Sequence, residues 1–337
     1  MSALLSIDRL RVELPAAKKG MRTVIHDVSL DVQAGEAVGL VGESGSGKSM
    51  TTRAVMRLLP EGARLSGEIR FDGISIPGMD RRALRRWRAT RVGMIFQDPR
   101  AHINPVRTIG DFLFEGVMLD GRLSTSQARE RISHLMRAVG IADVDRRLNQ
   151  YPHELSGGLL QRVMIAAALT TEPELLLADE PTTALDVTTQ EEVIAIIDEL
   201  RRERGLAMLF ITHDLDLAAA VCGRIAVMYA GSIVEEQKAD ALGLATSHPY
   251  TKGLLAARPE LGRRERRLQT IEGRPISAFE VGDGCAFATR CPRVRDRCRQ
   301  ERPAPTQVPG GRVACHFIDF IDAAAGSPAV GSGGGTR

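Results

Sequence analysis

Gly42-Glu43-Ser44-Gly45-Ser46-Gly47-Lys48-Ser49 is the stretch whose reading decides the fold. It fits G-x-x-x-x-G-K-[ST], a loop that cradles phosphates. Glycines let backbone N–H groups turn toward an anion. The helix that follows presents its N-terminus to the same anion. Lys48 is placed to reach the outer phosphates and Ser49 to hold Mg²⁺. The flanks agree: AVGLVG (37–42) reads as a short buried strand, and KSMTTRAVMRLL from Lys48 has helical spacing that stops at Pro60.

Working outward, the chain opens with alternating apolar positions in LLSIDRLRVEL and TVIHDVSLDV, so β structure is expected there. SGEIRFDG (66–73) and VGMIFQ (92–97) read as further strands, and 107–148 as helical. LLLAD (175–179), AMLFITH (207–213) and RIAVMYAG (224–231) follow, with helices expected at 188–204 and 214–221. The first two of these runs stay apolar until their C-terminal ends, as strands covered on both faces do. Strands alternating with helices around a Gly-rich turn predict a parallel α/β core. Asp179 ends one strand and can contact Mg²⁺. Glu180 follows it, where a carboxylate can orient or polarise an attacking water. Without the loop upstream, the two acids read equally well as helix N-caps.

The 337 residues suit one large domain, alone or with a small one. Apolar residues make up 43%, and the net charge of +3 demands no nucleic acid. The Arg-rich runs RRALRRWRATR (81–91) and RRERR (263–267) read as solvated helix faces. No signal peptide and no apolar run of roughly 18 residues is seen, so any membrane contact is expected to go through a partner. The expected location is cytosolic, where thiols stay reduced. Cys222 reads as core, and the other four Cys fall between 285 and 315. In a reducing compartment such a cluster reads as metal ligation before disulfides.

LSGG (155–158), followed by Gln161 and Arg162, lies just ahead of LLLADE. With the loop and the acidic pair, it resembles the signature of ABC ATPases. The resemblance implies a P-loop cassette with a mixed β core and a helical subdomain near 98–165, within a cassette over 1–235. It implies ATP and Mg²⁺, with ATP contacts at Gly42, Glu43, Ser44, Gly45, Ser46, Gly47, Lys48, Ser49, Met50, Gln97 and Asp179. Ser49, Gln97 and Asp179 are the implied Mg²⁺ contacts, and Glu180 and His213 the implied catalytic pair. Gln97 resembles the Q-loop glutamine, His213 the switch histidine, and Thr183-Ala184-Leu185-Asp186 the D-loop. Dimerisation is implied head to tail, with Ser156, Gly157, Gly158 and Gln161 facing the partner's ATP. One departure stands out: 11–24 contains no Phe, Tyr or Trp to stack on adenine, and Leu14 takes the corresponding place. Weak discrimination between ATP and GTP is therefore expected.

SHPYTKGLLAARP (247–259) resembles a segment in the ATPases of dipeptide and oligopeptide importers and their nickel-importing relatives. The pattern Cys285-x₅-Cys291-Pro-x₅-Cys298-x₁₆-Cys315 is similar to one that holds a [4Fe–4S] cluster in peptide-importer ATPases. Four thiolates are the usual ligand set for such a cluster. Arg290, Arg293, Arg295 and Arg297 are expected to lower the thiol pKa values. Zinc is the rival, although zinc sites pair ligands as C-x₂₋₄-C and no such pair exists here. His316 reads as a bystander. The extension is placed at 236–322, with a disordered tail at 323–337. The resemblance implies an importer ATPase at the cytoplasmic face of the inner or plasma membrane. Its implied partners are two permease subunits, a second and non-identical ABC ATPase, and indirectly an extracytoplasmic binding protein. The cargo, whether peptide, nickel chelate or haem, has no residue here to encode it. A non-transport ABC ATPase or an unrelated kinase or GTPase fits less well, since the chain has no long coiled-coil insertion and carries LSGG.

Overall fold

The computed structural model describes residues 3–16, 20–118, 121, 123–183, 185–244, 246–257 and 270–318. Ala184, the run 263–267 and the expected tail at 323–337 lie outside the described residues.

Two antiparallel strands, β1 (Leu5–Pro15) and β2 (Met21–Val32), lead into β3 (Ala37–Val41) and α1 (Lys48–Val55). Then come β4 (Arg64–Phe71), β5 (Ile74–Ser75), α2 (Arg81–Thr90) and β6 (Val92–Ile95). The stretch expected to be helical divides into α3 (Ile109–Met118), α4 (Thr125–Ala138) and α5 (Val144–Leu148), followed by α6 (Gly157–Leu169). The second half runs β7 (Leu175–Asp179), α7 (Val187–Arg204), β8 (Ala207–Thr212), α8 (Leu215–Val221), β9 (Arg224–Tyr229) and β10 (Ser232–Lys238). The extension adds α9 (Pro249–Ala256), α10 (Asp296–Gln300), β11 (Thr306–Val308) and β12 (Gly311–Val313).

Strands β2-β1-β4-β5 form one antiparallel sheet. The larger sheet has the order β11-β12-β10-β9-β3-β8-β7-β6. Its stretch from β9 to β6 is parallel, and β10, β12 and β11 close it with antiparallel pairs. The extension therefore contributes two strands to the main sheet, and β10 runs to Lys238, past the boundary expected at 235.

Both faces of the parallel strands are covered, which explains their unbroken apolar runs. Alternate residues serve different cores. Leu175, Leu177, Leu209 and Ile211 pack with the small sheet, α1 and α2. Leu176, Ala178, Met208 and Phe210 pack with the helices of the opposite face. Helix α2 carries the first Arg-rich run: Asp80 caps it, Leu84 and Trp87 face inward, and Arg82, Arg85 and Arg86 are exposed. Because β3, β6, β7 and β8 are parallel, their C-terminal ends share one edge of the sheet, where open α/β sheets bind ligands.

A close approach fixes one glycine in β6. A Cβ on Gly93 would sit 2.3 Å from the Ala168 carbonyl oxygen of α6. Gly93→Ala is expected to cost about 1–3 kcal/mol through overpacking, read as a lower thermal midpoint. Gly223→Ala, whose Cβ would meet nothing within 4 Å, is the matched control.

Candidate functional site

The loop at 42–49 joins β3 to α1 at that shared edge. Gly42 passes so close to β9 that a Cβ would lie 2.1 Å from the Met228 carbonyl oxygen. Gly47 takes φ 110° as it enters α1, a left-handed conformation that glycine adopts without strain. Helix α1 starts with no side-chain cap and no acidic residue in its first turn. Its N-terminal amides are thus left to an anion.

Lys48 is buried, and its Nζ donates to the carbonyls of Gly42 (2.7 Å) and Glu43 (3.0 Å). Burial lowers its pKa, against the pull of Glu180, whose Oε1 lies 3.8 Å away. Ser49 Oγ donates to Asp179 Oδ1 at 2.8 Å. Burial raises the Asp179 pKa, and the Ser49 bond only partly offsets it. This hydroxyl–carboxylate pair suits Mg²⁺, which takes oxygen ligands from one or two side chains and completes its shell with phosphates and water.

Glu180 gathers the remaining polar groups. Its Oε2 accepts from Gln97 Nε2 (3.1 Å) and Thr183 Oγ1 (2.9 Å), and His213 Nδ1 stands 3.7 Å off. Gln97 lies just beyond β6, Glu180 beyond β7 and His213 beyond β8, so the strand order alone brings the three together. The Glu180 backbone sits at φ 46°, a left-handed value uncommon outside glycine and of the kind that clusters at functional sites. His213 is largely exposed.

Ser156 caps α6, its Oγ accepting from Leu159 N at 3.3 Å, and Ser156 and Gly157 are exposed. Gln161, expected to face outward with them, is buried. Its amide donates to the Pro181 carbonyl at 2.5 Å and so ties α6 to the turn after Asp179. Four residues into α6, its side chain has rotated to the inner face. Asp186 is exposed and caps α7 through Thr189 N (3.0 Å) and Thr189 Oγ1 (2.8 Å), bonds that lower its pKa.

A cavity of about 400 Å³ opens over the loop, lined by the polar Lys48, Ser49, Gln97 and Glu180. Val24, Met50, Ala278 and Phe279 also line it. A ring that arrives from the extension, Phe279, therefore borders the same cavity as the phosphate loop, which sequence spacing gave no means to find. The extension also grips the loop itself. Arg290 Nη1 meets Glu43 Oε2 at 2.8 Å with the Arg290 side chain 4% exposed, and the Tyr250 hydroxyl accepts from Glu43 N at 3.0 Å.

Cys285 and Cys291 each lie within electrostatic reach of Cys298 and Cys315, and no disulfide forms. Among the described residues, however, no group of three or more His, Cys, Asp or Glu is arranged to hold a metal ion. The iron–sulfur expectation at Cys285, Cys291, Cys298 and Cys315 therefore gains no support from the geometry. The expected lowering of thiol pKa values is corrected too. Burial first, then the neighbouring thiols, push Cys285 up to about 11 and raise Cys291 as well. Arg293 does pull Cys291 down, but less than burial raises it. Arg290 is engaged with Glu43, Arg297 with Glu301 at 2.9 Å, and Arg295 lies over the Phe317 ring. Cys222 is core, pushed up to about 12 by burial.

Comparison with known proteins bears on the family and the fold. A family profile described as "ABC transporter" matches residues 25–183, and one described as "Oligopeptide/dipeptide transporter, C-terminal region" matches 234–298. The chain is 45% identical over 292 residues to the probable peptide ABC transporter ATP-binding protein y4tR of Sinorhizobium fredii, covering 86% of this chain and 87% of that one. It is 42% identical over 317 residues to the dipeptide transport ATP-binding protein DppD of Escherichia coli, covering 94% and 97%. A solved dimeric, post-hydrolysis structure of the ATP-binding cassette MJ0796, bound to ADP and Pi, superposes with a TM-score of 0.63 at 28% identity. It covers 70% of this chain and 98% of that one.

Glu43 and Arg290 offer a direct test of the grip on the loop. A double-mutant cycle with Glu43→Ala and Arg290→Ala, followed by denaturant unfolding, is expected to show a coupling of about 1–3 kcal/mol. Purely additive losses would mean that the pair does not hold the loop.

Proposed function

Because the chain belongs to the ABC transporter ATP-binding family, in its oligopeptide/dipeptide branch, we propose that it is the ATP-hydrolysing subunit of an importer for dipeptides or oligopeptides. The observation that carries this reading is the gathering of Lys48, the Ser49–Asp179 pair and Glu180 at one sheet edge, with Gln97 and His213 beside Glu180. The extension that follows matches the peptide branch in particular. No helix among the described residues is long and apolar enough to cross a membrane; in the proposed assembly the transmembrane path is supplied by permease subunits.

In this reading the triphosphate replaces the Gly42 and Glu43 carbonyls as the partner of Lys48. The anion also favours the charged ammonium that burial disfavours. Ser49 and Asp179 would hold Mg²⁺, which supplies charge neutralisation at the β- and γ-oxygens. Glu180 accepts the proton of the attacking water, and Gln97 and Thr183 fix the orientation of its carboxylate. His213, exposed beside Glu180, contacts the γ-phosphate. The exposed Ser156 and Gly157 at the start of α6 face the triphosphate of a second ATPase subunit, which is a related, non-identical chain. Gln161 supports this face from beneath.

A separate, mainly apolar cavity of about 430 Å³ lies between α2, β6, α3 and α6, lined among others by Phe96, His102 and Phe112. It follows β6 directly, so a permease helix docked there would act on the segment that carries Gln97. Two permease subunits, at the cytoplasmic face of the membrane, complete the assembly. We divide the chain into a cassette that ends in β10 and an extension that returns to its edge.

For the four cysteines we propose a [4Fe–4S] cluster on the number and type of the thiols alone, since no three of them are arranged in this structure to hold a metal ion. Anaerobic purification is expected to give a brown protein with about four irons per chain. A colourless protein with stoichiometric zinc, or with no metal at all, sinks it.

The nucleotide roles are tested by two variants. Lys48→Ala is expected to lose Mg-ATP binding in calorimetry. Glu180→Gln is expected to retain binding, to slow hydrolysis by about 100-fold or more, and to accumulate a closed dimer on size exclusion. Near-normal turnover in Glu180→Gln would remove Glu180 from the role of base.

A further inference from the structure

We infer that Phe279, carried by the extension, is the platform on which the base of the bound nucleotide stacks. The inference rests on the nucleotide reading above and extends it to a residue more than 200 positions from the phosphate loop.

The cavity over the loop is lined by two chemically distinct sets of residues. Lys48, Ser49 and Glu180 are polar, suited to phosphates and metal. Val24, Ala278 and Phe279 are apolar or aromatic and line the same space. At about 400 Å³ the cavity falls in the size range of small-ligand sites. A ligand with an anionic end and a flat apolar end matches this division, and a nucleotide is such a ligand.

Among the described residues Phe279 is one of the few large apolar side chains left exposed, at 50%, and it borders a cavity. A stacked base would cover that surface. The ring is also firmly presented. Ser277 and Glu280 form a reciprocal capping box around the short 3₁₀ turn Ala278–Glu280, with Ser277 N donating to Glu280 Oε1 at 3.0 Å. Arg274 holds the same carboxylate at 2.5 Å. From the cassette side, His26 Nε2 bonds the Ala278 carbonyl at 2.8 Å, with His26 itself buried. The Arg22 guanidinium lies 5.0 Å from the Phe279 ring centroid. It covers one face of the ring, and the proposal places the base on the other.

The geometry supplies what the first hairpin lacks. No aromatic occurs between Arg11 and Val24, yet an aromatic ring reaches the cavity from a turn that packs on β2. Base contacts are then made through the extension, and weak discrimination between ATP and GTP is still expected, because a ring stacks on either purine.

The test uses the full chain and two ligands, Mg-ATP and inorganic tripolyphosphate, which shares the phosphates and lacks the base. Phe279→Ala is expected to weaken Mg-ATP binding by about 10-fold, at the lower end of what one stacked base contributes, and to leave tripolyphosphate affinity unchanged. Phe279→Trp is expected to keep ATP affinity. Its new indole fluorescence should be quenched by ATP and not by tripolyphosphate, over the constant background of the single, buried Trp87. Equal losses for both ligands would show that Phe279 only supports the fold. Unchanged ATP binding in Phe279→Ala, or an indole in Phe279→Trp that does not respond to ATP, would also overturn the proposal. If the unaltered chain binds neither ligand, the nucleotide reading itself fails, and this inference falls with it.

Discussion

Burial of the parallel sheet on both faces governs this molecule. β3, β8, β7 and β6 lie side by side with apolar residues directed into two separate cores. Such strands cannot hold ionised groups along their length, because an unpaired charge there would lose its hydration. Polar chemistry can therefore appear only where the strands end. Asp179 is the last residue of β7, Gln97 and His213 lie just past β6 and β8, and the loop begins at the end of β3. Parallel direction then does the rest, since all four ends fall on one edge.

The same burial sets the charge state of the site before any ligand arrives. It pushes Lys48 down and Asp179 up, so both are biased toward neutrality. Lys48 is held in place by two carbonyls of its own loop and by Glu180 nearby. A polyphosphate relieves the desolvated ammonium more fully than neutral carbonyls can, and a divalent cation does the same for Asp179. The left-handed backbone at Glu180 belongs to the same economy of space. The chain must turn out of a buried strand at once, and it does so at the residue whose carboxylate gathers Gln97, Thr183 and His213.

What the sequence made legible was local. The loop, LLLADE and LSGG each keep their residues within a few positions, and period and spacing are enough to read them. The parallel core was legible for the same reason, because double-sided burial leaves long apolar runs. Gln161 shows where that stops. It lies in the signature by position, yet helical rotation turns it to the buried face, where it bonds Pro181. The thiol environment was misjudged because burial outweighs the neighbouring arginines, and two of these turn to other acceptors, Arg290 to Glu43 and Arg297 to Glu301. Arg290 and Glu43 are 247 positions apart, and no periodic signal spans such a distance.

That long-range pair argues that the extension is part of the nucleotide site and not a separate appendage. A guanidinium as buried as that of Arg290 is tolerated only if its donors are met. Here they are met by both Glu43 oxygens and by the carbonyls of Ile271 and Glu272. One side chain thus joins the phosphate loop to the segment that leads into Ser277–Phe279. Tyr250 reaches the loop from α9, and it packs with Tyr229 of β9 and Phe287 of the extension in one aromatic cluster. β12 meanwhile pairs with β10 and takes up that edge of the main sheet. A segment that only covered an exposed sheet edge would need the strand pairing alone. The contacts to Glu43 from two different elements of the extension make the loop's conformation depend on the extension being folded, so the two form one structural unit.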